Sequence, residues 1–209
     1  MKKGIRTTLL LVTASQLFMA VLCEREEIGQ VTTRNPFTVT VSNEANFSIN
    51  DTLWITGRVS SQLFNETTGD SVMNTNQFTR DIISVMRLKT AAENTNTVEA
   101  LEEFELVAEV GTTDFLGRCP ESELIAQAPL AENGQQYAYR IGLVALNSGD
   151  FVLSWVEPVT LVNERLNTQI LENYPINSRS NKLGLLKCGV GNFIEDVNTD
   201  RRSFFFEVN

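Results

Sequence analysis

The sequence predicts an all-β chain, an antiparallel β-sandwich of about eight or nine strands with at most one short helix. Three features predict it. Apolar residues recur at every second position in short segments, clusters of Asn, Asp, Gly, Ser and Thr separate those segments, and only one stretch places apolar residues at helical spacing.

Residues 24–35 are polar and lack periodicity, as a tether does. From Phe37 the alternation begins, with Phe37, Val39 and Val41 on one face and Thr38 and Thr40 on the other. Residues 53–59 read as the next strand, with Gly57 at a bulge or a close backbone approach. Residues 65–76 are turn-rich and read as a loop, residues 81–88 return to β-branched and apolar types, and residues 90–97 break again at Asn and Thr. Phe104, Leu106, Ala108 and Val110 then face one way while Glu103, Glu105 and Glu109 face the other, Val107 being the exception. Tyr137, Tyr139, Ile141, Leu143 and Ala145 form a strand, Asn147 to Asp150 a turn, and Phe151, Leu153 and Trp155 the returning strand of a hairpin. Residues 162–174 carry Leu166, Ile170, Leu171 and Tyr174 at helical spacing. Residues 183–190 read as a short apolar strand carrying Cys188, and Phe204, Phe206 and Val208 alternate at the end. The 137–155 hairpin resembles the penultimate and following strands of immunoglobulin-like or fibronectin-like modules, which implies a sandwich of that kind.

The N-terminus has its own layout. Lys2, Lys3 and Arg6 precede an apolar run of about 16 residues from Thr7 to Leu22. A spanning helix needs about 20, so the run reads as a cleaved signal. It stops at Cys23 and gives way to Glu24, Arg25, Glu26 and Glu27. An apolar segment that ends in one cysteine and continues in acidic residues resembles a bacterial lipoprotein. The resemblance implies cleavage before Cys23 by signal peptidase II and lipid on Cys23, with Leu22 standing where that family has Gly, Ala or Ser. The acidic cluster resembles the surface-export signal of Bacteroidota lipoproteins; alternatively it is the start of a solvated linker. The organisation expected is a signal peptide over 1–22, a lipid-anchored linker over 23–35 and one sandwich domain over 36–209, placed at the outer membrane or cell surface.

Removal of residues 1–22 takes three basic residues and no acid, leaving 14 Lys and Arg against 26 Asp and Glu, a balance of −12. Nucleic acid is not expected as a partner, because its phosphates require cationic surface. With Cys23 acylated, Cys119 and Cys188 remain as a pair in an exported chain. They form a disulfide, or they are two buried thiols in separate parts of the core. With no histidine and no closely spaced cysteines, the chain shows no zinc pattern, and no cofactor is expected.

Candidate chemistry is sparse. A Ser-His-Asp triad is excluded by the absence of histidine. Glu102, Glu103, Glu105 and Glu109 are the densest carboxylates, and their alternation with apolar residues reads as a solvated strand face. Asp196, Asn198 and Asp200 offer oxygen ligands at alternate positions, with Glu207 at the twelfth; Arg201 stands where a calcium loop needs Gly, so a polar turn is the competing reading. Trp54 and Trp155 would be sugar-stacking platforms if exposed; both lie within apolar strands, which favours the core. Residues 65–76 and 91–99 are the loops on which a sandwich would carry a recognition surface. Asp51-Thr52-Leu53 and Asp70-Ser71-Val72 resemble the O-glycosylation acceptor pattern of Bacteroidota envelope proteins, which would place glycan on Thr52 or Ser71. The sequons at Asn46, Asn50 and Asn65 matter only in a eukaryotic secretory route.

These readings converge on a non-enzymatic envelope lipoprotein that binds or assists another envelope protein or a glycan. The competing readings are an exported carboxylate-based hydrolase acting on carbohydrate and a structural envelope protein.

Overall fold

The computed structural model describes residues 32–42, 46–117, 119–163, 168–177, 179, 181–197 and 202–209. The strands of the first half are β1 (Thr32–Arg34), β2 (Phe37–Val41), β3 (Asn46–Phe47), β4 (Thr52–Ser60), β5 (Gln62–Asn65), β6 (Ser71–Met73), β7 (Phe78–Ala92) and β8 (Thr95–Glu99). A short 3-10 turn, Leu101–Glu103, leads into β9 (Phe104–Val110), β10 (Thr112–Phe115), β11 (Glu123–Pro129), β12 (Gln136–Ala145), β13 (Gly149–Trp155) and β14 (Val159–Leu161). Helix α1 (Thr168–Glu172), β15 (Lys182–Lys187), β16 (Val190–Asp196) and β17 (Ser203–Val208) complete the chain.

Two sheets face each other. One has the order β14-β2-β4-β12-β9; the other has the order β10-β11-β7-β13-β17-β3, with β8 also paired to β7. Pairing is antiparallel except at the short edge pairs β14 with β2 and β17 with β3. The expected antiparallel β-sandwich is therefore the observed fold, with more strand segments than foreseen because short edge strands arise inside stretches that read as loops. β1 is one of these: it lies within the expected tether and pairs with β5, which in turn pairs with β6 inside the expected 65–76 loop.

Alternation builds the space between the sheets. β2 buries Phe37, Val39 and Val41 and exposes Thr38 and Thr40. Phe47, Phe104, Phe151, Phe204, Phe206, Tyr137, Tyr139 and Trp155 join the aliphatic residues of both sheets in one core. Phe151 stacks on Phe206 at 5.5 Å between centroids and meets Phe104 edge-on at 4.9 Å.

The larger sheet is covered on its other face as well. Met86, Leu88, Val152 and Phe205 point away from the first core and pack with Leu171 of α1, Leu183 and Leu185 of β15, and Val197. Phe204, Phe205 and Phe206 are consecutive because β17 is buried on both faces, the condition that replaces alternation with a continuous apolar run. The C-terminal hairpin is thus a third, partial layer.

Four expectations are corrected. First, β12 and β13 are not a hairpin: β12 pairs with β4 and β9, and β13 pairs with β7 and β17, so the 147–150 turn carries the chain from one sheet to the other. Inward-facing apolar positions alternate identically in a hairpin and in such an arch, so the pattern could not separate them. The resemblance of this segment to immunoglobulin-like terminal strands falls with the hairpin. Second, β15 ends at Lys187, and Cys188 and Gly189, at φ 54° and 68°, form the two-residue turn into β16. Third, within the expected 162–174 stretch the described helix covers Thr168–Glu172; Leu166 lies outside the described residues. Fourth, on β9 Phe104 is buried and Leu106 half-buried, but Ala108 and Val110 are exposed. β9 is an edge strand, and a register shift sets Val110 opposite Arg140 instead of a core position.

Candidate functional site

Outward positions of the five-stranded sheet form the surface of most chemical interest. On β4 the inward residues are Leu53, Ile55 and Val59, which turns Trp54, Thr56, Arg58 and Ser60 outward. Thr38 on β2 stands opposite Arg58, and Gln136 on β12 stands opposite Ser60. Asn35 and Pro36 before β2, and Asn133 and Gln135 before β12, close the ends of a depression of about 480 Å³ over these residues. A second depression of about 370 Å³, lined by Ser60, Ser61, Gln62, Met73 and Gln135, shares Ser60 and Gln135 with the first. Together they form one trough at the junction between the five-stranded sheet and the β1-β5-β6 sheet.

The local scaffold is well fixed. Ser61 is buried and its hydroxyl donates to the Gly134 carbonyl at 2.7 Å, tying the β4 end to the loop before β12. Asn133 Oδ1 accepts from the Gln135 amide at 3.1 Å, and Asn35 Nδ2 donates to the Gln62 carbonyl at 3.3 Å. Further along the face, the Arg140 guanidinium lies 4.4 Å from the Trp54 ring centroid while its Nε donates to Glu109 at 2.5 Å. Trp54 is therefore half-exposed on the outer face, against the expectation of a core position, whereas Trp155 is fully buried as expected. The strand phase decides this: an aromatic one position out of step with Leu53 and Ile55 must face outward.

The carboxylates sort into distinct environments. Glu103 pairs with Arg87 at 2.6 Å, and Glu105 is exposed. Glu121 is exposed and hydrogen-bonded to Glu99, which holds its carboxyl above the usual range, with the charge of Glu99 acting the same way. Asp81 is fully buried between the sheets, and its Oδ2 accepts from the Tyr139 hydroxyl at 2.7 Å. Burial pushes it up to about 6, and the hydrogen bonds from Tyr139 and the Ile82 amide offset only part of that. Asp81 Oδ1 and Trp155 Nε1 are both buried without a hydrogen-bond partner, and the nearby indole favours the carboxylate's charge slightly. Tyr174 donates to Asp150 Oδ2 at 2.6 Å, and that bond, with burial, pushes the phenol up to about 12.

The other candidate residues are placed as follows. Cys119 and Cys188 form a disulfide with Cα atoms 4.7 Å apart, joining the loop after β10 to the β15-β16 turn. Asp196, at the end of β16, is paired with Lys182, and Glu207 on β17 stands opposite Asp150. Asn198 and Asp200 lie outside the described residues, as do Cys23 and the acidic cluster after it. Among the described residues no group of three His, Cys, Asp or Glu side chains is gathered for a metal. Ser71 is exposed and Thr52 half-buried. The 91–99 stretch is not an open loop: Thr95, Asn96 and Thr97 are buried beneath β15, where Asn96 Oδ1 accepts from the Gly184 amide at 2.9 Å and Thr97 Oγ1 donates to its carbonyl at 3.2 Å.

Sequence reasoning missed the trough. Its residues come from four separated segments, and most are ordinary solvent-facing types. The one available signal was the outward phase of β4, where Arg58 and Ser60 continue the series begun by Trp54. Comparison of the chain with family models, with curated proteins and with solved structures returns no match.

Proposed function

We propose that this chain is an exported envelope lipoprotein, held at the outer membrane or cell surface by lipid on Cys23, whose sandwich works without catalysis as a binding or accessory module for another envelope protein or a glycan. The observation that carries the reading is the Cys119–Cys188 disulfide, a bond that persists in oxidising compartments and so accords with export. The lipoprotein-like N-terminus supplies the address, and a trough with unengaged polar side chains supplies a place for a partner. Affinity capture with the full chain from detergent-solubilised envelope tests it. Recovery of one envelope protein or glycan at a fixed ratio is expected; recovery of neither contradicts a binding role.

A further inference from the structure

We infer that the trough running from Thr38, Arg58 and Gln136 past Ser60 and Gln135 to Gln62 and Met73 binds a neutral oligosaccharide chain. This inference rests on the reading of the chain as a binding module and narrows it to one ligand class and one surface.

The first ground is the chemistry of the lining. Thr38, Ser60, Gln62, Gln135 and Gln136 each offer both a donor and an acceptor, and Arg58 adds charged donors. A polyhydroxylated ligand presents donors and acceptors together and is matched by amides and hydroxyls. An anion would call for donors alone, and a cation for carboxylates.

The second ground is electrostatic. In a chain of net charge −9 no Asp or Glu among the described residues lines either depression. The single guanidinium of Arg58 is too little cation for a nucleic-acid backbone.

The third ground is availability. The side chains of Thr38, Arg58, Gln62, Gln135 and Gln136 make no hydrogen bond or ion pair among the described residues. Thr38, Arg58 and Gln136 stand on strands, so they are offered by a rigid scaffold.

The fourth ground is the apolar end. Met73 is 54% exposed at the rim, and Phe64, on the same face of β5 as Gln62, is 47% exposed. Sugar rings carry apolar C–H faces that pack on such side chains while their hydroxyls meet the amides.

The test is a printed array of neutral gluco-, xylo-, manno-, galacto- and N-acetylglucosamine oligosaccharides probed with the full chain in detergent, followed by titration calorimetry on the best probe. The expected result is retention of at least one probe. Arg58→Ala and Gln136→Ala each weaken it about tenfold, and Arg80→Ala, on the other sheet, leaves it unchanged. Arg58 and Gln136 are exposed, so both variants keep the wild-type Tm. An empty array, or retention that Arg58→Ala and Gln136→Ala leave intact, overturns the assignment. If the array is empty while envelope capture still yields a protein, the trough loses its glycan and the binding-module reading stands.

Discussion

The Tyr139 hydroxyl donates a 2.7 Å hydrogen bond to Asp81 in the space between the two sheets, joining β12 of one to β7 of the other. The ring of Tyr139 lies over Gly57, where a Cβ would overlap it, so the small residue on β4 is what allows the phenol to reach across. This is a polar tie inside an apolar core, and its weak point is the unpaired Asp81 Oδ1.

The burial of Asp81 makes stability pH-dependent. The folded Asp81 titrates near about 6 against an ordinary 3.8, so the folded chain holds the proton more tightly than the unfolded one. The contribution is full below about pH 4 and is lost as pH rises through about 6, an amount on the order of 3 kcal/mol. Asp81→Asn keeps an acceptor for Tyr139 and removes the charge. Its urea midpoint is expected to exceed that of the wild type at pH 8 and to approach it near pH 4. A variant less stable than the wild type at pH 8 contradicts this account of the core.

The disulfide is expected to hold the third layer against the sandwich. It closes a sequence separation of 69 residues, which corresponds to about 4 kcal/mol on the chain-entropy model. Replacing both Cys119 and Cys188 by Ser should lower the denaturant midpoint accordingly. Hydrogen exchange should rise first over β15 and β16, whose own contacts with β8 are made largely by the side chains of Asn96 and Thr97. Uniform exchange across all strands would show that the hairpin is not a separate unit.

At Gly184 β15 passes close to the backbone at the start of β8. A Cβ there would strike the Asn94 carbonyl and the Thr95 Cα, backbone atoms that cannot swing aside. Gly184→Ala is expected to cost about 3 kcal/mol, measured by chemical denaturation, whereas Gly69→Ala, in open space at φ +76°, should cost about 1 kcal/mol from backbone conformation alone. Equal costs would mean that the β8–β15 crossing is looser than described.

What the sequence disclosed follows from what alternation encodes. Phe37, Val39 and Val41, and later Tyr137 to Ala145, mark strands with one buried face, and enough such strands imply a sandwich. Alternation says which residues face inward, not which strand lies alongside, so β12 and β13 read as a hairpin although they belong to opposite sheets. It fails where both faces are buried, as at Phe204, Phe205 and Phe206, whose middle residue announced the third layer without being read as such. The burial of Thr95, Asn96 and Thr97 was illegible because small polar residues look solvent-facing until a second strand supplies their hydrogen-bond partners. The trough was illegible for the complementary reason: Arg58, Gln135 and Gln136 are unremarkable alone and meaningful only when β2, β4 and β12 bring them together.

Lipid on Cys23 is the central claim of the proposed function, and it is open to one direct measurement. Intact mass and membrane partitioning of the wild-type chain expressed in a bacterial host are compared with those of Cys23→Ala. The account predicts a wild-type mass lacking residues 1–22 and increased by acyl chains, partition into the membrane fraction, and loss of both in the variant. A wild-type chain that keeps residues 1–22, or that is recovered unacylated, contradicts it.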